Sequence, residues 1–139
     1  MKVKDIMTQS VIHIGQEEPV AVAARTLTHY NIGALPVCDE KGRLCGIVTD
    51  RDIVTRCLAA GMEPFRTQVK QVMTGTVKTI DTDADAAEAA RIMGSNQIRR
   101  LPVVEGGKIC GIVSLGDLSQ NEKAGNTLTR ICQNRSDRN

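Results

Sequence analysis

Val3-Lys4-Asp5-Ile6-Met7-Thr8 opens the chain, and the same pattern returns as Val69-Lys70-Gln71-Val72-Met73-Thr74. At that offset residues 3–37 and 69–103 agree at 14 of 35 positions, far above chance, so the chain is a tandem duplication and must be read by its period first. After one deletion the register resumes, with Leu44-Cys45-Gly46-Ile47-Val48-Thr49 set against Ile109-Cys110-Gly111-Ile112-Val113-Ser114. Whatever fold one copy takes, the other takes too.

Each copy carries the same local signals. A short apolar run (Val11–Ile14, Val77–Ile80) predicts a strand. Apolar residues at helical spacing follow: Val20, Ala23, Ala24 and Leu27 in the first copy, Ala86, Ala89, Ala90 and Met93 in the second. Pro19 suits the first turn of its helix, and Thr82 with Asp85 spells a capping box. Leu35-Pro36-Val37-Cys38 and Leu101-Pro102-Val103-Val104 lead through turns at Asp39–Arg43 and Glu105–Lys108 into a second strand, which makes a hairpin. Helices are expected from Asp50 to near Ala60 and again from Leu115. The order is β-α-β-β-α twice, an α/β fold. It divides into a first repeat at residues 1–60, a connector at 61–68, a second repeat at 69–120 and a polar tail at 121–139, in which Thr127–Cys132 could add a short amphipathic helix. Neither half has enough residues for a core of its own, so the repeats are expected to pack sheet to sheet about a pseudo-twofold axis.

Composition narrows the function. With 41% hydrophobic and 24% charged residues, the chain is globular and not disordered. A net charge of +2 without long like-charge runs gives no bulk case for nucleic acid. The start has no apolar signal region and no apolar run reaches spanning length, so the cytoplasm is expected and a membrane is not. The five cysteines form no Cys-x-x-Cys pair, and His13 and His29 sit in no metal-binding spacing, so no metal site is expected. Cys45 and Cys110 hold matching strand positions and read as small buried hydrophobes; a redox role for Cys38, Cys45 or Cys110 is the lesser alternative. Tyr30 and Phe65 are the only aromatic rings. A base-binding cleft here would need aliphatic walls.

The chemistry concentrates in Gly46-Ile47-Val48-Thr49-Asp50-Arg51-Asp52 and Gly111-Ile112-Val113-Ser114-Leu115-Gly116-Asp117. In each, a strand delivers a hydroxyl to a helix start and a carboxylate follows three residues later. Free N–H groups at a helix start favour phosphate, and a carboxylate can accept both hydrogen bonds of a ribose diol. The same Thr/Ser-x-x-Asp spacing is also a capping box that needs no ligand. Spacing alone leaves both readings open. No Walker A, G-x-G-x-x-G or nucleophile-elbow motif is present, and no enzymatic activity is expected.

Duplicated Leu-Pro-Val ahead of Gly-h-h-Thr/Ser-x-x-Asp, where h is apolar, with Asp-Ile-Met-Thr at the head, resembles the CBS domain; two copies resemble a Bateman module. The resemblance covers residues 3–120 and is nearest to small stand-alone bacterial CBS pairs, including stress- and hypoxia-associated ones. It implies a regulatory module that binds AMP, ADP, ATP or S-adenosylmethionine between the repeats, with no required cofactor, a homodimeric assembly and a regulated partner protein. Carried over by position, Asp52 and Asp117 would hold ribose, and Thr49 and Ser114 the ribose or phosphate. Arg99 and Arg100 would reach phosphate, and Ile12 and Ile32 would flank adenine, with ordinary core as their other reading. The first copy departs from the basic pair, carrying Gly33-Ala34 before Leu35. In the family's composite geometry Ser114 and Asp117 would face Ile12, Ile32, Gly33 and Ala34, whereas Thr49 and Asp52 would face Lys78, Ile98, Arg99 and Arg100. The second motif is therefore expected to be the favoured one, and Asp50 against the neutral Leu115 points the same way. A homodimer would use the helices after the hairpins, presenting Ile53, Leu58 and Leu118. The rival reading is a scaffold protein whose clefts bind nothing.

Overall fold

A computed structural model describes residues 1–119; the polar tail expected over 121–139 and its Thr127–Cys132 helix lie outside the described residues. In chain order the elements are α1 (Val3–Ile6), β1 (Ile14–Gly15), α2 (Val20–Tyr30), β2 (Ala34–Cys38), β3 (Leu44–Thr49), α3 (Asp50–Asp52, continued by π-helical Ile53–Leu58), a 3-10 turn (Val69–Gln71), β4 (Ile80–Asp81), α4 (Ala86–Asn96), β5 (Arg100–Glu105), β6 (Lys108–Ser114) and α5 (Leu115–Leu118). They form two compact units, residues 12–77 and residues 1–11 together with the chain from Lys78. Each unit holds a three-stranded sheet, β1-β2-β3 or β4-β5-β6, whose first pair is parallel and second antiparallel. The mixed α/β class and the duplicated hairpin follow the sequence pattern.

The first strand of each copy is shorter and later than its apolar run suggests. Only Ile14–Gly15 and Ile80–Asp81 pair, in the registers Ile14↔Val37 and Ile80↔Val103. One step back the partners would be Pro36 and Pro102. Ile47 spends its N–H and C=O on Thr74, so the backbone of Pro36 opposite it must serve the β1 side, where a proline has no N–H to donate. The ladder stops there.

Helix registers agree with the apolar spacing. Val20, Ala23 and Leu27 of α2 are buried, as are Ala86, Ala89, Ala90 and Met93 of α4. The caps differ. Pro19 stands one place before the first turn, at the N-cap of α2. The expected Thr82–Asp85 box does not form, because α4 starts at Ala86 with Asp85 as its cap. Thr82 is buried and its hydroxyl is committed to Glu105 Oε1 at 3.0 Å, across the sheet end. The Glu105–Lys108 turn is a two-residue hairpin with Gly106 and Gly107 at φ 60° and 82°, the positive pair that a twist-matched turn demands.

The units are offset from the sequence copies. The head of copy one belongs to the unit built on the sheet of copy two, and the head of copy two to the unit of copy one's sheet. Val3 is buried among Leu101, Val103, Val113 and Met93, while Val69 and Val72 are buried among Leu35, Val37, Val48 and Leu27. Burying each such side chain is worth about 1.5–3 kcal/mol. Thr8 exchanges both backbone hydrogen bonds with Ile112 (2.8 and 3.0 Å), and Thr74 does the same with Ile47 (2.8 and 2.9 Å). This approach requires the glycine that precedes each of those isoleucines. A Cβ on Gly46 would lie 2.6 Å from Thr74 O and 2.8 Å from Met73 Sδ, and Gly111 is pressed by Met7 and Thr8 in the same way.

The expected dimer residues separate. Ile53 and Leu118 are core residues of their own units, because each follows the motif aspartate onto the inward side of its helix. Leu58 is 54% exposed, as is Val54 one turn before it.

Gly46→Ala and Gly111→Ala should each lower stability by about 1–3 kcal/mol through overpacking, seen as a lower urea midpoint at unchanged slope. Gly116→Ala is the contrast: its Cβ would meet nothing closer than 3.6 Å, and the midpoint should hold or rise.

Candidate functional site

Each candidate site forms where a hairpin's inner end meets the helix that follows it. In the first copy Ala34 pairs with Thr49, and the Asp50 N–H donates to Gly33 O at 3.2 Å. In the second, Arg100 pairs with Ser114, and the Leu115 N–H donates to Arg99 O at 3.0 Å. The dipeptide ahead of Leu-Pro-Val therefore lies beside the motif of its own copy. Ile12 and Ile32 are half-buried against the core of the first copy's sheet, in keeping with the ordinary-core reading.

Both capping boxes form. Thr49 Oγ1 accepts from the Asp52 N–H at 3.0 Å, and the Thr49 N–H donates to Asp52 Oδ2 at 3.1 Å. The matching distances for Ser114 and Asp117 are 3.2 and 2.8 Å. Each cap uses one carboxylate oxygen, Oδ2, and an ionised carboxylate offers about four acceptor sites in all. Capping therefore orients the carboxylate without exhausting it. The two readings of Thr/Ser-x-x-Asp are compatible.

The outer oxygens differ between copies. Asp52 is buried, and its Oδ1 lies 3.8 Å from Arg56 Nε. Asp117 is half-buried and joins no ion pair among the described residues. Arg99, Arg100, Ser114, Leu115 and Gly116 line a cavity of about 280 Å³. Arginine beside a hydroxyl and a helix start suits an anionic group such as phosphate. The first copy offers Gly33-Ala34 and the exposed, negative Asp50 in those places. Arg56 is the residue the sequence reading missed. Its spacing from Asp52, i to i+4 on a helix, was the available signal; comparing the copies hid it, because Asn121 stands at the matching position.

The cysteines lie off these motifs. Cys38 and Cys57 are buried, while Cys45 and Cys110 are only half-buried, since they alternate outward from Gly46 and Gly111. Their thiols lie 3.5 Å from Arg43 O and 3.4 Å from Val103 O. Burial pushes the Cys38 thiol up to about 11, helped by Cys45 and Asp39 nearby. Burial also raises Cys45 and Cys110.

Comparison with known proteins places these features. A family model for the CBS domain matches residues 3–59 and 69–122. The CBS domain-containing protein YhcV of Bacillus subtilis is 39% identical over 133 residues, 93% of this chain and 94% of that protein. Hypoxic response protein 1 of Mycobacterium tuberculosis is 35% identical over 118 residues, 85% of this chain and 82% of its own length. A crystal structure of Hypoxic Response Protein I with two coordinated zinc ions superposes with a TM-score of 0.78 at 34% identity, covering 87% of this chain and 98% of that one. The CBS domain pair of protein MJ0100, in complex with 5′-methylthioadenosine and S-adenosylmethionine, superposes with a TM-score of 0.71 at 32% identity, covering 86% and 94%. Among the described residues no three His, Cys, Asp or Glu side chains gather to hold a metal ion. No helix among them is long and apolar enough to cross a membrane.

The raised thiols make a measurable claim. A reactive redox cysteine needs its thiolate at neutral pH, whereas Cys38, Cys45 and Cys110 are all held protonated above their ordinary value. Iodoacetamide labelling of the native protein, read by peptide mass spectrometry, should be slow at these three at pH 7.5. Labelling of Cys38 should rise about tenfold per pH unit toward pH 11. Rapid labelling of any of them at neutral pH would restore the redox reading.

Proposed function

The chain belongs to the CBS-domain family as a tandem pair, and from that premise we propose that it is a ligand-sensing module and not an enzyme. The ligand is an adenosyl small molecule, AMP, ADP, ATP or S-adenosylmethionine, held between the two repeats. Ser114 and Asp117 take the ribose, with Ile12, Ile32, Gly33 and Ala34 contributing to the base side and Arg99 and Arg100 to the phosphate end. Thr49 and Asp52 form the equivalent, weaker site. Binding shifts the assembly or partner affinity of a cytoplasmic homodimer, for which the exposed Val54 and Leu58 supply apolar surface. Such a shift requires two states of unequal ligand affinity.

The observation that carries this reading is the division of labour in the motif carboxylate. Oδ2 is spent on the cap in both copies, which fixes the carboxylate's orientation before any ligand arrives. Among the described residues no ion pair engages the outer oxygen of Asp117, which can accept hydroxyl donors. A fixed acceptor costs a ligand less than one that must be ordered on binding. The related MJ0100 pair, which takes two adenosyl compounds, supports the ligand class.

Asp→Asn is the informative substitution, since the amide oxygen can still accept the Ser114 or Thr49 N–H while the charge is lost. Asp117→Asn should weaken binding of the best adenosyl ligand by about 1.5–3 kcal/mol, the scale of a hydrogen bond to a charged group, and Asp52→Asn should weaken it less. Thermal shift across AMP, ADP, ATP and S-adenosylmethionine selects the ligand, and calorimetry measures it. A wild type that responds to none of them, or variants that bind as wild type does, would leave the motifs as helix caps only.

A further inference from the structure

Arg56 is tied to three acceptors. Its Nε lies 3.8 Å from Asp52 Oδ1, and its Nη1 donates to Met73 O at 3.1 Å and to Val72 O at 3.3 Å. The two carbonyls close the 3-10 turn that carries the docked head Val69–Gln71, where backbone acceptors lack intrahelical partners. They anchor the guanidinium on the side away from Asp52. A planar fork can reach a carboxylate and two carbonyls together, which the compact ammonium of lysine cannot.

We propose that Arg56 is a specificity-determining residue that withholds Asp52 from a ribose diol, so that the second motif takes the ligand first. The proposal rests on the adenosyl reading above. A vicinal diol binds best when both carboxylate oxygens are open to it. At Asp52 the Thr49 N–H holds Oδ2, the guanidinium faces Oδ1, and the residue is 8% exposed. A diol approaching it must displace a cation that has two further attachments. At Asp117 only Oδ2 is engaged, and no cation faces the carboxylate among the described residues. The duplication supplies its own control, because the residue matching Arg56 is Asn121, short and uncharged.

Adenosine is the probe of choice: it carries the diol but no charge, so loss of the arginine changes no long-range attraction to the ligand. Calorimetry on the full chain compares wild type, Asp117→Asn, and Asp117→Asn combined with Arg56→Asn, which installs the second copy's residue. The double variant should bind adenosine roughly three- to fivefold tighter than Asp117→Asn alone, the scale of a half-exposed ion pair. Equal or weaker binding by the double variant, or no measurable binding by either while wild type binds, overturns the proposal. A wild type that binds neither adenosine nor any charged adenosyl ligand overturns the adenosyl reading itself, a separate result. Arg56→Asn also releases the Val72 and Met73 carbonyls, so circular dichroism must show it folded. Should it unfold, Arg56→Gln in the same background carries the test: its amide keeps a donor for one carbonyl without the charge, and its affinity must exceed that of Asp117→Asn.

Discussion

The close approach of a methionine-threonine head to a glycine in a neighbouring strand is the contact on which the rest of the structure depends. Thr8 and Thr74 reach the edges of β6 and β3 because Gly111 and Gly46 carry no Cβ. That contact seats Val3 and Val69 in cores they could not otherwise enter. Each sheet is thus completed by a head that comes, in sequence, from the other copy. A three-stranded sheet with one helix is a small core for so short a chain, and a core with almost no aromatic side chain depends on every aliphatic residue it can enclose. Exchange of heads makes the duplication a folding requirement: one copy alone lacks the segment that closes its sheet.

The Thr/Ser-x-x-Asp motif inherits its geometry from the same packing. Ile53 and Leu118, each immediately after a motif aspartate, are buried core residues. Their burial fixes the rotation of the helix start, and the capping box then fixes the carboxylate upon it. The site is therefore positioned by hydrophobic burial first and hydrogen bonding second. This order explains how a motif of four residues holds its carboxylate in one orientation: the cap engages Oδ2 and leaves Oδ1 outside it.

Features repeated in both copies were legible in the sequence, and features decided by a single partner were not. Agreement at 14 of 35 aligned positions exposed the duplication, the hairpins, both helices and the two Thr/Ser-x-x-Asp motifs. The strand ends were mistaken although their cause, Pro36 and Pro102, was in plain view, because a missing N–H matters only once its side of the sheet is known. Thr82 had cap spacing but found Glu105, 23 residues away, a partner that no local rule supplies. Ile53 and Leu118 were read as surface because helical periodicity gives a face and not the direction in which it points. Arg56 escaped for the opposite reason. Reading by repeats rewards what the copies share, and a guanidinium present in only one of them drops out of the comparison.

The differences between the copies fall in a pattern that follows from these constraints. Buried hairpin positions are identical at Leu35 and Leu101, Val37 and Val103, and Val48 and Val113, whereas buried helix positions vary, Val20 against Ala86 and Leu27 against Met93. Where they border the motifs they part: Gly33-Ala34 against Arg99-Arg100, Asp50 against Leu115, and Arg56 against Asn121. Identity in the hairpins is held by close packing, in which even a single added methylene is felt. Positions at the inner end of the hairpin are half-buried or exposed and lie outside the core. Duplication therefore yields two motifs with the same cap geometry and unequal surroundings. In this chain the first motif has the exposed carboxylate of Asp50 beside it and the Arg56 guanidinium 3.8 Å from Asp52 Oδ1. Beside the second motif, Arg99 and Arg100 line a cavity with Ser114, Leu115 and Gly116.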